Sequence, residues 1–111
     1  PCTEYDLIDR VIEYVQENYM SMLTVKNMAD YVNVSESYLS RLMRSHVGIS
    51  PMKYVNSVRM ENAKQALKSD LPIEHIAALV GFMEPKYFST VFKRETGLTP
   101  SEFRKSISNK Q

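Results

Sequence analysis

The side chains that most often carry covalent or metal chemistry are few and poorly placed. His46 and His75 have no cysteine or second histidine at metal-ligand spacing, and Cys2, the only cysteine, lies near one end. The three glycines form no loop that could cradle a phosphate. No catalytic residue, metal or cofactor is expected. What remains is a chemistry of hydrogen-bond donors and cations along two short helical stretches. The outward set is Glu36, Ser37, Ser40, Arg41 and Arg44 in one, and Lys86, Ser89, Thr90, Lys93 and Arg94 in the other. Spacings of three and four residues put each set on one helix face. Guanidinium, ammonium and hydroxyl groups in such a row suit phosphate oxygens and base edges.

A net charge of +1 looks too weak for that chemistry, but the total hides a pattern. Residues 1–36 carry two cations against seven carboxylates, a net of −5. Residues 37–68 carry six cations against Glu61 alone, a net of +5; residues 69–84 return to −3 and residues 85–111 to +4. The two basic segments coincide with the two outward sets. Alternation on solvated helix faces would give the same totals, whereas two separate phosphate contacts would require them.

The elements that must position these residues are helices, with no period-2 strand run. Leu7, Ile8, Val11, Ile12 and Val15 make an amphipathic helix over 5–18 with an acidic outer face. Thr24 caps a second helix with Val25, Met28, Ala29 and Val32 inside, and Asn33-Val34 breaks it. Ser35 caps a third, about Ser35–His46, with Tyr38, Leu39, Leu42 and Met43 inward and Gly48 at its end. Ser50-Pro51 starts a fourth with no breaker until Asp70-Leu71-Pro72, which predicts about 18 residues or about 27 Å. Ile73, Ile76, Ala77 and Val80 define a fifth, ended by Gly81-Phe82. Tyr87, Phe88, Val91 and Phe92 define a sixth, about Pro85–Glu95, ended by Gly97. Thr99-Pro100 starts a short seventh carrying Phe103, and the polar tail from Ser106 is expected to fray. The seven tyrosines and seven methionines fall mostly on apolar faces, so core packing is expected of them.

The pattern repeats. Val25, Met28, Ala29 and Val32 match Ile73, Ile76, Ala77 and Val80 at an offset of 48. From Tyr38-Leu39-Ser40 and Tyr87-Phe88-Ser89 onward the offset is 49, through Gly48 and Gly97, Ser50-Pro51 and Thr99-Pro100, and Tyr54 and Phe103. One residue is inserted in the second turn. Each copy is a helix, a tight turn and a second helix, with a small residue, Ala29 or Ala77, where the helices cross. That geometry lets the second helix project its polar face into a major groove.

The stretch Ile76–Arg104, with Gly81-Phe82, Tyr87-Phe88, Phe92-Lys93, Gly97, Thr99-Pro100 and Phe103-Arg104 in order, closely resembles the signature of AraC/XylS-type transcription regulators. Ala29, Ser35, Tyr38-Leu39, Arg41-Leu42, Gly48, Pro51, Tyr54 and Arg59-Met60 extend the resemblance over roughly residues 7–105. It implies an all-α fold of about seven helices in which two helix-turn-helix units, about 23–48 and 72–97, are joined by a long helix at about 50–69. It further implies double-stranded DNA as partner and a role in transcription, commonly activation. A sensor or receiver domain elsewhere in the full chain is implied too.

By the family's pattern the base-facing positions are Ser37, Ser40 and Arg41, and Lys86, Ser89 and Thr90. Arg41 is the strongest reader, since a guanidinium bonds guanine O6 and N7 together; it could instead pair with Glu36 or Ser37. Serine and threonine are less selective, which makes the second unit look more like a clamp. Phosphate contacts are expected from Arg44, Lys93 and Arg94, helped by helix-start N–H groups near Ser50 and Thr99. Arg59 and Arg104 match recurring family positions, with structural ion pairs as the competing role. A connecting helix of about 27 Å suits two major-groove segments about one turn, roughly 34 Å, apart.

The competing function is a helical protein-interaction module, with the acidic face near Glu13 and Glu17 contacting a partner domain or RNA polymerase. No apolar run is long enough for a membrane helix, and one cysteine forms no intrachain disulfide, so a cytoplasmic protein is expected. A start at Pro-Cys rather than Met suggests a piece of a longer protein, a single domain by length.

Overall fold

A computed structural model describes residues 3–108, which leaves Cys2 outside the described residues. Among them there are seven helices and no strand: α1 Glu4–Asn18, α2 Val25–Tyr31, α3 Glu36–His46, α4 Pro51–Ala66, α5 Ile73–Leu79, α6 Pro85–Thr96 and α7 Pro100–Ser108. The chain divides into two compact units between Val58 and Arg59, inside α4. Each unit has buried residues of its own.

In the first unit, α1 begins at a capping box. Thr3 accepts from the Asp6 amide and Asp6 accepts from the Thr3 amide, both at 3.1 Å. Thr24 and Asn27 make the same reciprocal pair at the start of α2. The core joins Ile8, Val11 and Val15 of α1 to Met28 and Ala29 of α2, Leu39, Leu42 and Met43 of α3, and Val55 of α4. The fully buried Ala29 lies on the face of α2 that packs on α3. His46, at the end of α3, meets the Glu4 carboxylate at 3.1 Å and the Tyr5 ring edge at 4.8 Å, fastening the start of α1 to the end of α3.

The second unit buries Met60 and Ala63 of α4, Leu67 just after it, Ile76 and Ala77 of α5, and Phe88, Val91 and Phe92 of α6. Its centre is aromatic: Phe82, Phe88, Phe92 and Phe103 follow one another at ring-centroid distances of 5.4, 5.7 and 5.4 Å, in tilted or edge-on contacts. Burying each such side chain contributes roughly 1.5–3 kcal/mol.

The repeat is visible in the backbone. Helices α2 and α5 have seven residues each, and their bounds differ by 48; α4 and α7 start 49 apart. The Val34 amide donates to the Ala29 carbonyl at 3.0 Å, as Phe82 does to Ala77 at 2.9 Å. Asn33 and Gly81, 48 apart, both take positive φ, at 59° and 105°; Gly48 and Gly97, 49 apart, do so at 93° and 86°. The register change is thereby confined to the residue between Phe82 and Glu84, which is Met83, 77% exposed.

Four local expectations are corrected. The connecting helix has 16 residues rather than about 18, or about 24 Å. Its last turn tightens after Ala66, where Lys68 and Ser69 donate three residues back and the Ser69 hydroxyl also bonds the Ala66 carbonyl. Helix α7 continues through Ser106 to Ser108, because Ile107 falls four residues after Phe103 and both are half-buried. Tyr87 is not inward: it is 55% exposed, its ring tilted against Phe82 at 5.7 Å. Nor do the methionines and tyrosines fill the core as a class. Met28, Met43 and Met60 are buried, but Met20, Met22 and Met83 are exposed; Tyr5, Tyr31 and Tyr87 are exposed and the other four tyrosines are half-buried.

Arg104 has a structural task. Its Nε donates to the Leu67 carbonyl at 3.2 Å and its Nη2 to the Leu71 carbonyl at 2.6 Å, which satisfies carbonyls left open beyond the end of α4. The ion-pair role expected for it is replaced by a carbonyl clamp. Arg104→Ala should cost roughly 1.5–3 kcal/mol of stability and leave the salt dependence of any DNA binding unchanged. Urea denaturation beside a salt titration checks both halves.

Candidate nucleic-acid interface

Ser35 starts α3 by accepting the Tyr38 amide at 3.1 Å, and Leu39, Leu42 and Met43 hold one side of the helix in the core. The other side is thereby fixed outward. Glu36, Ser37, Arg41 and Arg44 are exposed and Ser40 is half-buried among them. The Arg41 guanidinium lies over the Tyr38 ring, 5.4 Å from its centroid, and makes no ion pair with Glu36. A ring beneath the guanidinium engages its face and leaves its N–H edges free for a ligand.

On α6, Phe88, Val91 and Phe92 are fully buried and orient the remainder. Lys86, Thr90, Lys93 and Arg94 are exposed, and Ser89, equivalent to Ser40, is half-buried. Pro85 at the first helical position presets the backbone, because Glu84 makes no side-chain cap. The Thr90 hydroxyl donates to the Lys86 carbonyl at 3.1 Å, so its proton is already engaged. Arg94 approaches the Glu95 carboxylate at 4.0 Å with 59% of its side chain exposed, a contact too loose and too wet to hold it.

The two helix starts beside these faces differ. Ser50 accepts the Lys53 amide at 3.3 Å, no acid occupies the first turn of α4, and Lys53 is exposed there. At α7, Thr99 accepts the Glu102 amide at 3.1 Å while its own amide donates to the Glu102 carboxylate at 2.8 Å. Those bonds from Thr99 hold the Glu102 carboxyl below its ordinary range. An internal anion therefore occupies the Thr99 start, leaving Thr99 only its hydroxyl proton for a phosphate, whereas the Ser50 start is open and cationic.

Arg59 belongs to the interior. It is 6% exposed, its guanidinium is 5.3 Å from the Phe82 centroid, and burial lowers its pKa against an opposing contribution from Tyr87. The structure thus separates the arginines: Arg41 and Arg44 on an open face, Arg59 and Arg104 within their unit. Sequence reasoning gave Lys53 no role beyond its charge and placed Tyr87 inward, whereas both are exposed. Lys53 could have been found as a cation in a first turn that carries no acid. The signal for Tyr87 was its place at the edge of the apolar stripe, with Phe88, Val91 and Phe92 filling the buried positions.

His46 is held by Glu4 and Tyr5, and His75 is exposed on α5. Among the described residues, no three His, Cys, Asp or Glu side chains gather where a metal could bind. None of the described helices is long and apolar enough to cross a membrane.

The family described as "Helix-turn-helix domain" matches residues 28–106, from within the first repeat through the second. The chain belongs to the AraC/XylS-type helix-turn-helix family. It is similar to the raffinose operon transcriptional regulatory protein RafR of Pediococcus pentosaceus, 41% identical over 97 residues that cover 86% of this chain and 35% of RafR. Among solved structures it is similar to the C-terminal domain of AraT, a response regulator from Geobacillus stearothermophilus. That match has a TM-score of 0.87 and 36% identity, and covers 90% of this chain and 84% of the other. The DNA-binding domain of AdpA, solved with a target DNA, matches at TM-score 0.87 and 23% identity over 93% of this chain and 94% of that one, a likeness of fold. The chain spans about a third of the length of the curated relatives it matches. As an AraC/XylS-type domain it is a sequence-specific DNA-binding module of transcription regulators.

Proposed function

We propose that each unit lays its outward helix, α3 or α6, into a major-groove segment of one duplex, and that the two segments lie about one helical turn apart. The observation that carries this reading is the matched pair of open faces. Ser40 and Ser89, Arg41 and Thr90, and Arg44 and Lys93 stand 49 residues apart on helices whose opposite sides are buried. Arg41, with Ser37 and Ser40 beside it, reads base edges in the first unit; Lys86, Ser89 and Thr90 do so in the second. Arg44, Lys93 and Arg94 neutralise phosphates. Ser50 presents the open start of α4, and Thr99 adds its hydroxyl.

The domain works within a longer regulator, most simply an activator. A sensor or receiver domain supplies the signal, and RNA polymerase is a candidate partner in the cytoplasm. The similarity to RafR and to the response regulator AraT supports such an architecture.

Selection from a randomised duplex pool tests the reading, with two short blocks of preference about 10 base pairs apart as the expected outcome. Inserting five base pairs between the blocks should abolish the gain over random DNA. If about six phosphates are neutralised, log K falls against log salt with a slope near −5. A protein-interaction module would bind no duplex at low salt, and a salt-independent constant would count equally against phosphate contacts.

A further inference from the structure

The two outward faces use different chemistry. Where the first unit has Arg41, the second has Thr90 at the equivalent position, and Thr90 is exposed. Its hydroxyl donates to the Lys86 carbonyl at 3.1 Å, so what this exposed side chain has left for a ligand is its methyl group and its oxygen lone pairs. Ser89, its polar neighbour, is half-buried. Tyr87, three residues before Thr90, is 55% exposed although the core has room for its neighbours Phe88, Val91 and Phe92. Phe82 supports the ring from behind at 5.7 Å, so the aromatic surface is braced rather than loose. Beside Lys86, the first two turns of α6 thus present a methyl group and an aromatic flank. In the major groove one base carries an apolar group for such a surface, the C5-methyl of thymine.

We infer that the second unit distinguishes thymine by its methyl group, through Thr90 with Tyr87 at its flank, while the first unit reads by hydrogen bonds from Arg41. The inference rests on α6 reading bases, as proposed above. The lone pairs of Thr90 could alternatively accept from an adenine or cytosine amino group; the experiment separates that case.

The test uses the duplex obtained by pool selection. Each thymine is replaced in turn by deoxyuridine, which keeps the hydrogen-bonding edge and removes only the methyl. In the half contacted by α6, one or two replacements should weaken binding about fourfold each, the change expected for losing one buried methyl-sized group. In the half contacted by α3, replacements should change affinity less than twofold. Thr90→Ser retains the hydroxyl and lacks the methyl. It should bind the thymine and deoxyuridine duplexes alike, matching the wild type on deoxyuridine DNA.

The inference is overturned if the second half contains no preferred thymine or if deoxyuridine there is tolerated by the wild-type domain. Retention of the thymine preference by Thr90→Ser overturns it as well. Absence of any selected sequence would instead remove the base-reading proposal on which it stands. Because the deoxyuridine comparison uses the unaltered protein, a folding defect in the variant cannot imitate a positive result.

Discussion

Arg41→Ala should weaken binding to the selected duplex by roughly ten- to a hundredfold, the range of a bidentate arginine–guanine pair. Binding to random DNA should fall only severalfold, by the loss of one cation. The asymmetry follows from the site. Arg41 is exposed on the open face of α3, rests on the Tyr38 ring and has no carboxylate partner among the described residues. Its donor edges are therefore available at no cost in broken ion pairs. Arg41→Lys should recover the random-DNA affinity but little of the specificity, because an ammonium lacks the planar fork. Fluorescence anisotropy on both duplexes, at matched salt, measures the two losses. Equal losses would demote Arg41 to a phosphate contact. The same comparison for Lys86→Ala shows whether that residue distinguishes the selected duplex from random DNA.

The largest effect on stability is expected from Phe92→Ala. Phe92 is completely buried between Phe88 and Phe103, at centroid distances of 5.7 and 5.4 Å, and faces the centre of the second unit. Truncating such a ring leaves a cavity that rigid neighbours fill poorly, at a cost of roughly 3–5 kcal/mol. Domains of this size are stable by about 5–15 kcal/mol, so the melting temperature should fall by roughly 15–25 °C. Tyr87→Ala, on the exposed flank of the same helix, should shift it by only a few degrees. Thermal denaturation followed by circular dichroism distinguishes the two. A fall below about 5 °C for Phe92→Ala would contradict the packing described.

Much of this arrangement was legible before the structure, for a specific reason. Buried helix faces impose a spacing of three and four residues, and Leu39, Leu42 and Met43, or Phe88, Val91 and Phe92, display it. Once the inner face is known, the outer one follows, so the exposed positions of Arg41, Arg44, Lys86 and Lys93 could be assigned from spacing. Helix ends were harder, because they depend on side chains bonding locally to backbone. Ser69 closing the last turn of α4 is one instance; Ile107 carrying α7 past Ser106 is another, and its four-residue step from Phe103 was available to notice. What each outward residue touches was not legible at all. Tyr38 beneath Arg41, the back-bond of Thr90 and the Thr99–Glu102 box are matters of rotamer, on which periodicity is silent.

Asn33 and Gly81 share a left-handed backbone but not a residue, and Gly48 and Gly97 share both. These four positions act as seams. Helices α3 and α6 are bounded by the same pair of conformations, so the ends of the stretch between them match in either copy. The inner faces do not match, since α3 packs Leu39, Leu42 and Met43 where α6 packs Phe88, Val91 and Phe92, so only outward residues can be exchanged between the two slots. Changing what such a domain binds then becomes a problem of repainting two outer faces rather than of rebuilding a fold.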